Sequence, residues 1–337
     1  MKKILIIYTG GTIGMHRGKD GALHPFDFGQ VSRQVPELER LGCNITHHSF
    51  GELIDSSNVT PPFWVRLAET IESHYDAYDG FVILHGTDTM AYSASALSFM
   101  LEHLGKPVIF TGSQLPLGAI RTDARRNLIT AVEIAASTTI VPEVCIFFNN
   151  QLFRGNRAEK FTSSMFDAFQ SLNCPLLATS GVDVEYNHDV ILPVSRKKLM
   201  VHTHLETHIG LVRLFPGITD VWMEHILSVP GLKALVIETY GSGNAPTDPG
   251  FVRSLEDAIR RGLIVLNVSQ CAGGSVQQGK YATSKQLEQI GVTSGRDLTT
   301  EAALTKLMVL LGRFPEDAEK VKTWMQEPLC GEMDPMI

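Results

Sequence analysis

Lys2-Lys3-Ile4-Leu5-Ile6-Ile7-Tyr8-Thr9-Gly10-Gly11-Thr12-Ile13-Gly14 opens with an apolar, β-branched run and stops abruptly at a glycine-rich turn. The run reads as a buried strand, and Gly10-Gly11 supplies the permissive backbone of a tight exit turn. Open α/β sheets bind ligands outside the carboxyl ends of their strands, so Thr12 stands where chemistry is usually done. A dinucleotide loop is the other reading. It requires Gly-x-Gly-x-x-Gly, whereas these glycines are adjacent, and no acidic residue ends the next apparent strand, 43–50, to take a ribose.

Outward from that stretch, Gly80-Phe81-Val82-Ile83-Leu84-His85-Gly86-Thr87-Asp88-Thr89-Met90 repeats the grammar: a strand, a glycine, then a hydroxyl and a carboxylate before a helix-like stretch, 91–104. Helix capping alone would explain Thr87 and Asp88. Two strand ends with the same chemistry point instead to a shared site. Strand-like runs at 3–8, 44–50, 80–84, 106–111 and 143–149 alternate with helical stretches at 62–75, 91–104 and 123–137, with Thr60 a candidate cap for the first. Such alternation argues for a doubly wound, mostly parallel sheet. Residues 151–180 suit a hairpin and loop. A polar, basic stretch containing Ser195-Arg196-Lys197-Lys198 reads as a linker, after which strands and helices resume. The expected fold class is α/β, with a larger N-terminal doubly wound domain at 1–186, a linker at 187–207 and a smaller C-terminal α/β domain at 208–337.

At 337 residues the chain exceeds what one core usually serves. A net charge of -7 argues against generic binding to nucleic acid or anionic membrane. No apolar run is long enough to span a bilayer, and the first residues run into a strand rather than a cleavage signal. Cys43, Cys145, Cys174, Cys271 and Cys330 are scattered and odd in number, which fits reduced, mostly buried thiols and a cytoplasmic location.

Thr9-Gly10-Gly11-Thr12-Ile13-Gly14 and His85-Gly86-Thr87-Asp88-Thr89 resemble the two signature motifs of the bacterial-type L-asparaginases. The likeness continues through Thr111-Gly112-Ser113-Gln114, Phe148-Asn149-Asn150, Arg154-Gly155-Asn156-Arg157, Tyr240-Gly241-Ser242-Gly243-Asn244-Ala245-Pro246 and Gln270-Cys271. It covers the whole chain and is nearest to the cytoplasmic branch, asparaginase I. The resemblance implies hydrolysis of L-asparagine to L-aspartate and ammonia through an acyl ester on Thr12. It also implies a homodimer or homotetramer.

An unaided threonine is too weak an acid to attack an amide at neutral pH, so it needs a proton acceptor and oxyanion donors. By resemblance, Thr87, Asp88 and Lys160 move protons, and Asp88 also accepts the substrate's α-ammonium. Without that context, Lys160 would read as an exposed loop residue. Resemblance places Asp55, Ser56 and Ser57 around the substrate's amino and carboxylate groups, Ser56 first for the carboxylate. Local Asx and Ser turns would explain the same loop. Gln114 is a lesser candidate behind them. Many family members carry a tyrosine soon after the nucleophile, yet residues 15–28 contain none, although their glycines and charges suit a lid. Tyr281 is the candidate for the missing activator.

Some cytoplasmic relatives respond cooperatively to asparagine through a second pocket, matched here by Cys271, Glu238 and Glu159. Glu238 replaces an arginine of the related pattern and Glu159 a hydroxyl residue, while Cys271 could equally be a thiol buried under its strand. His202-Thr203-His204-Leu205-Glu206-Thr207-His208 could align imidazoles and a carboxylate for zinc. It lies in the linker away from every other motif, and no metal or organic cofactor is expected. The rivals are the amidase component of a tRNA-dependent amidotransferase, which should bring a further domain and a basic surface, and a non-catalytic amino-acid sensor. A pure binder has no use for the nucleophile.

Overall fold

Five consecutive buried residues, Ile4 to Tyr8, make β1 (Lys3–Tyr8) the centre of the first sheet. A computed structural model describes residues 1–17, 23–25, 34–279 and 282–335, which divide into two compact units, Met1–Thr203 and His204–Ile337. In the first unit, β1 pairs in parallel with β4 (Asn44–Ser49) on one side and β5 (Gly80–Leu84) on the other, Tyr8 lying opposite both Ser49 and Leu84. The short β2 (Met15–Arg17) and β3 (Leu23–Pro25) pair with each other in between. Beyond β5 lie β7 (Val108–Thr111) and β8 (Val144–Phe148), both parallel.

At β8 the chain reverses. Asn149 and Asn150 have φ of 46° and 70°, and Phe148 pairs with Gln151 across them. Two left-handed residues suit a two-residue hairpin turn, and asparagine tolerates them better than most side chains. The sheet continues antiparallel through β9 (Gln151–Arg154), β12 (Ala178–Ser180) and β13 (Val184–Tyr186). Between β9 and β12, β10 (Glu159–Lys160) and β11 (Phe169–Gln170) pair as a separate hairpin.

Helices cover the sheet. Ile4, Ile6, Tyr8, Val82 and Leu84 cluster with Ala124, Leu128 and Ala131 of α3 (Ala124–Ala136). Their alternates Leu5, Ile7, Phe81 and Ile83 point to the opposite face and are also buried. α1 (Pro61–His74) buries Phe63, Trp64, Leu67, Ala68 and Ile71 at helical spacing. Thr60 precedes it without a side-chain cap, and the helix starts on prolines instead. α2 (Met90–Met100) is buried nearly all round. It ends earlier than its composition suggests, because Leu101–Glu102 leaves the helix as β6 and pairs with β14 (Met200–Val201). His202 Nε2 then meets Glu102 Oε2 at 2.6 Å. The buried Arg154–Glu143 ion pair, 2.5 Å, also takes Val190 O and Leu192 N as partners.

The second unit holds a four-stranded parallel sheet: β15 (Ile209–Arg213), β16 (Ala234–Thr239), β17 (Ile264–Ser269) and β18 (Thr293–Ser294). Its helices are α4 (Asp220–Leu227), α5 (Pro249–Arg260), α6 (Ala282–Gln289), α7 (Thr300–Arg313) and α8 (Ala318–Met325). Its own core joins Met223, Leu227, Leu235, Ile237, Phe251, Leu255 and Val265. Lys306 of α7 is fully buried, its ammonium 2.6 Å from Glu332 Oε1 and bonded to the carbonyls of Met325 and Glu327. Desolvation lowers the Lys306 pKa while Glu332 opposes the shift. Glu332 in turn accepts the N–H groups of Leu329 and Cys330.

The α/β class and the mostly parallel N-terminal sheet agree with the expectation. Of the thiols, only Cys145 and Cys174 are buried; Cys43 and Cys330 are half-buried and Cys271 is exposed.

Candidate active site

The parallel strands stand in the order β4-β1-β5-β7-β8. The chain leaves β1 for one side and returns at β5 on the other, so β1 and β5 flank a topological switch point, where open sheets form their crevice. Thr12 follows β1, and Thr87 and Asp88 follow β5.

Backbone contact locks the two strand exits together. Thr9 donates both its N–H and its hydroxyl to Leu84 O, at 3.1 and 2.8 Å. Gly11 has φ 87°, and a Cβ there would lie 2.6 Å from Gly86 N. Only glycine permits that approach. Thr12 itself is half-buried at the start of a short 3-10 turn, Thr12–Gly14, whose last carbonyl accepts the Tyr8 hydroxyl at 2.8 Å. Burial raises the Tyr8 pKa to about 12.

Thr87 and Asp88 do not cap α2. Thr89 holds the cap position without a side-chain cap bond, and its hydroxyl donates to Ser56 O at 2.7 Å. Lys160, at the base of the β10–β11 hairpin, instead reaches both: its Nζ donates to Thr87 Oγ1 at 2.8 Å and to Asp88 Oδ1 at 2.6 Å. The Lys160 side chain is 17% exposed and that of Asp88 64%, so the lysine is no free loop charge while the carboxylate stays open to solvent. The Asp55 loop joins them through Ser56, which is buried against Gly86. Asp55 is exposed and accepts the N–H and hydroxyl of Ser57, at 2.9 and 2.7 Å, which lower its pKa.

Sequence reasoning passed over the support behind these loops. His85 is buried, with Nδ1 2.6 Å from Gly86 O and Nε2 2.9 Å from Ser93 Oγ. Trp64 Nε1 donates to the same hydroxyl at 2.9 Å. Desolvation lowers the His85 pKa to about 4.

Tyr281 falls outside the described residues, as do residues 18–22 and 26–28 of the lid-like stretch. Cys271 is exposed rather than packed under β17, since it follows the strand's end. Glu238, one residue before the end of β16, has Thr300 Oγ1 at 2.6 Å and Arg213 at 3.4 Å, both in the second unit, whereas Glu159 belongs to the first. Two of the three imidazoles weighed for zinc take carboxylates, His202 with Glu102 and His208 with Glu206 at 2.7 Å. Among the described residues no three metal-type ligands gather.

The sheet order and the strand-end loops define an open α/β class with its crevice at a switch point. Residues 3–192 match "Asparaginase, N-terminal" and residues 208–325 match "Glutaminase/Asparaginase C-terminal domain". The chain belongs to the asparaginase family. It is 46% identical to L-asparaginase 1 of Escherichia coli strain K12, covering 99% of this chain and 98% of that one. The crystal structure of L-asparaginase I from Vibrio cholerae superposes with a TM-score of 0.92 at 42% identity, covering 99% of both chains. The thermostable L-asparaginase from Thermococcus kodakarensis also gives 0.92, at 30% identity over 99% of this chain and all of its own.

Proposed function

We propose that the protein is an L-asparaginase that converts L-asparagine and water to L-aspartate and ammonia through a Thr12 ester. The observation that carries the reading is Lys160 joining Thr87 and Asp88 beside the loop that presents Thr12. In this reading the Thr12 hydroxyl attacks the side-chain amide carbon and gives up its proton as the C–O bond forms. Collapse breaks the C–N bond, and the nitrogen takes a proton and leaves as ammonia. Water then attacks the ester, returns a proton to Thr12 and releases aspartate. Thr87, Asp88 and Lys160 carry the protons, while Asp55, Ser56, Ser57 and Asp88 hold the substrate's charged ends. Tyr281 is the proposed activating hydroxyl.

Replacing Thr12 by Ala removes a half-buried hydroxyl and methyl, so the protein should fold while ammonia release from asparagine disappears. Near-normal turnover by Thr12→Ala would sink the assignment. The same reading carries residues 1–186 as the catalytic domain, 187–207 as linker and 208–337 as the second domain. It also carries a cytoplasmic location and a homodimer or homotetramer, which point-group closure accommodates. A monodisperse monomer in sedimentation would count against the assembly. No helix among the described residues is long and apolar enough to cross a membrane.

A further inference from the structure

Gln114 has no part in the chemistry just described, yet its side chain touches two elements of the site. Its backbone is held from behind: Gln114 N and Leu115 N donate to Asp123, at 3.0 and 3.1 Å, and Asn127 Nδ2 donates to Gly112 O at 3.0 Å. α3 therefore fixes where the side chain starts. At its far end, Nε2 donates to Met165 O at 2.9 Å, and Oε1 lies 3.5 Å from Thr87 Oγ1. A carbonyl cannot donate, so Met165 O demands an amide N–H and the amide has one orientation.

The direction of donation follows. An ammonium has only donors, so the 2.8 Å contact from Lys160 uses a lone pair of Thr87 Oγ1. The Thr87 proton then points to another acceptor, and Gln114 Oε1 stands on that side. Lys160 and Met165 lie on one connection, the hairpin from β10 to β11. The bonds close a ring: hairpin base to Thr87, Thr87 to Gln114, Gln114 to hairpin tip. We propose that Gln114 is a positioning residue that clamps the Lys160 hairpin and aims the Thr87 hydroxyl, so that its amide serves turnover rather than substrate binding. The proposal rests on the function given above.

The ring needs a donor at one end of residue 114 and an acceptor at the other. Leucine offers neither. An ionised glutamate offers only acceptors and opposes Met165 O, whereas a protonated one regains one donor and one acceptor. Steady-state asparagine hydrolysis is to be measured for the unmutated protein, Gln114→Leu and Gln114→Glu across pH. For Gln114→Leu, kcat should fall about 10- to 100-fold, as for a displaced catalytic group, with KM within about twofold. Gln114→Glu should match that loss at neutral pH. Its rate relative to the unmutated protein should recover toward the ordinary carboxyl range near pH ~4.3. An unchanged kcat in Gln114→Leu, a loss confined to KM, or no acid recovery in Gln114→Glu would each overturn the proposal. If Gln114→Leu fails to fold, the pH dependence of Gln114→Glu decides alone. An unmutated protein that releases no ammonia from asparagine would sink the function itself and this proposal with it, whereas normal hydrolysis with unaffected variants sinks only the role of Gln114.

Discussion

Proton positions around His85 follow from its neighbours. Gly86 O can only accept, so Nδ1 carries the hydrogen; Nε2 then accepts from Ser93, whose oxygen accepts from Trp64. A neutral ring completes this chain, and burial holds the pKa near 4, below the ordinary value of 6.5. Between those values the unfolded chain binds more protons than the folded one, so stability rises with pH across the window. The contribution is fully present above about 6.5 and lost as pH falls toward about 4, and it amounts to about 3 kcal/mol. Gln at position 85 keeps a donor and an acceptor but does not titrate. Denaturant titrations at several pH values should therefore show a shallower acid loss for His85→Gln, and parallel curves would refute the account. His85 lay in plain view inside its motif, but its partners did not. Ser93 and Trp64 become neighbours only when α1 and α2 pack beside the end of β5, and no local pattern announces that.

The loop after β1 shows at element level what a glycine can mean. Gly11 combines a positive φ with a backbone neighbour 2.6 Å from its missing Cβ, whereas Gly42 has φ 64° and open space around it. In Gly42→Ala only the left-handed strain of about 1–2 kcal/mol is expected. Gly11→Ala adds a clash that no side chain can relieve and pries the ends of β1 and β5 apart. It should cost more than Gly42→Ala in denaturant unfolding and reduce kcat sharply as well. Equal behaviour of the two variants would show that the close approach does not matter. The bounds of β1 and β5 were readable because each apolar run stops at a glycine turn. The end of α2 was not, since Leu101, Leu104 and their neighbours are apolar enough to continue a helix, and the pull of β14 comes from a hundred residues away. Lys160 was hidden for the opposite reason: its polar surroundings look like solvent-facing loop, but the hairpin folds the side chain onto Thr87.

Across the whole molecule, each unit has its own sheet and core, and the change in pattern after residue 150 reflects the antiparallel end of the first sheet. In the second unit Glu238 stands where the related pattern has an arginine. Its carboxylate would repel an amino-acid effector's carboxylate by several kcal/mol, more than a typical coupling of about 1–3 kcal/mol. Arg213 at 3.4 Å is the nearby cation, and it is already engaged with Glu238. The rate should therefore rise hyperbolically with asparagine. A sigmoidal curve that Cys271→Ala straightens at unchanged maximal rate would overturn this. The Lys306–Glu332 pair offers a separate test. Glu332→Ala strands a buried ammonium and should cost about 3–5 kcal/mol, while Lys306→Met with Glu332→Leu should cost much less. Equal losses in a double-mutant comparison would contradict it.

That ion pair also bears on the order in which the molecule is made. Domains fold as they emerge during synthesis, N-terminal parts first. Lys306 leaves the ribosome before Glu332, and until that carboxylate arrives α7 would have to bury a charge with no counter-ion. In the first unit the buried Glu143 waits only 11 residues for Arg154, a much shorter gap than the one between Lys306 and Glu332. Nascent chains arrested short of residue 332 should thus hold a protease-resistant first unit beside a second one that is still digestible.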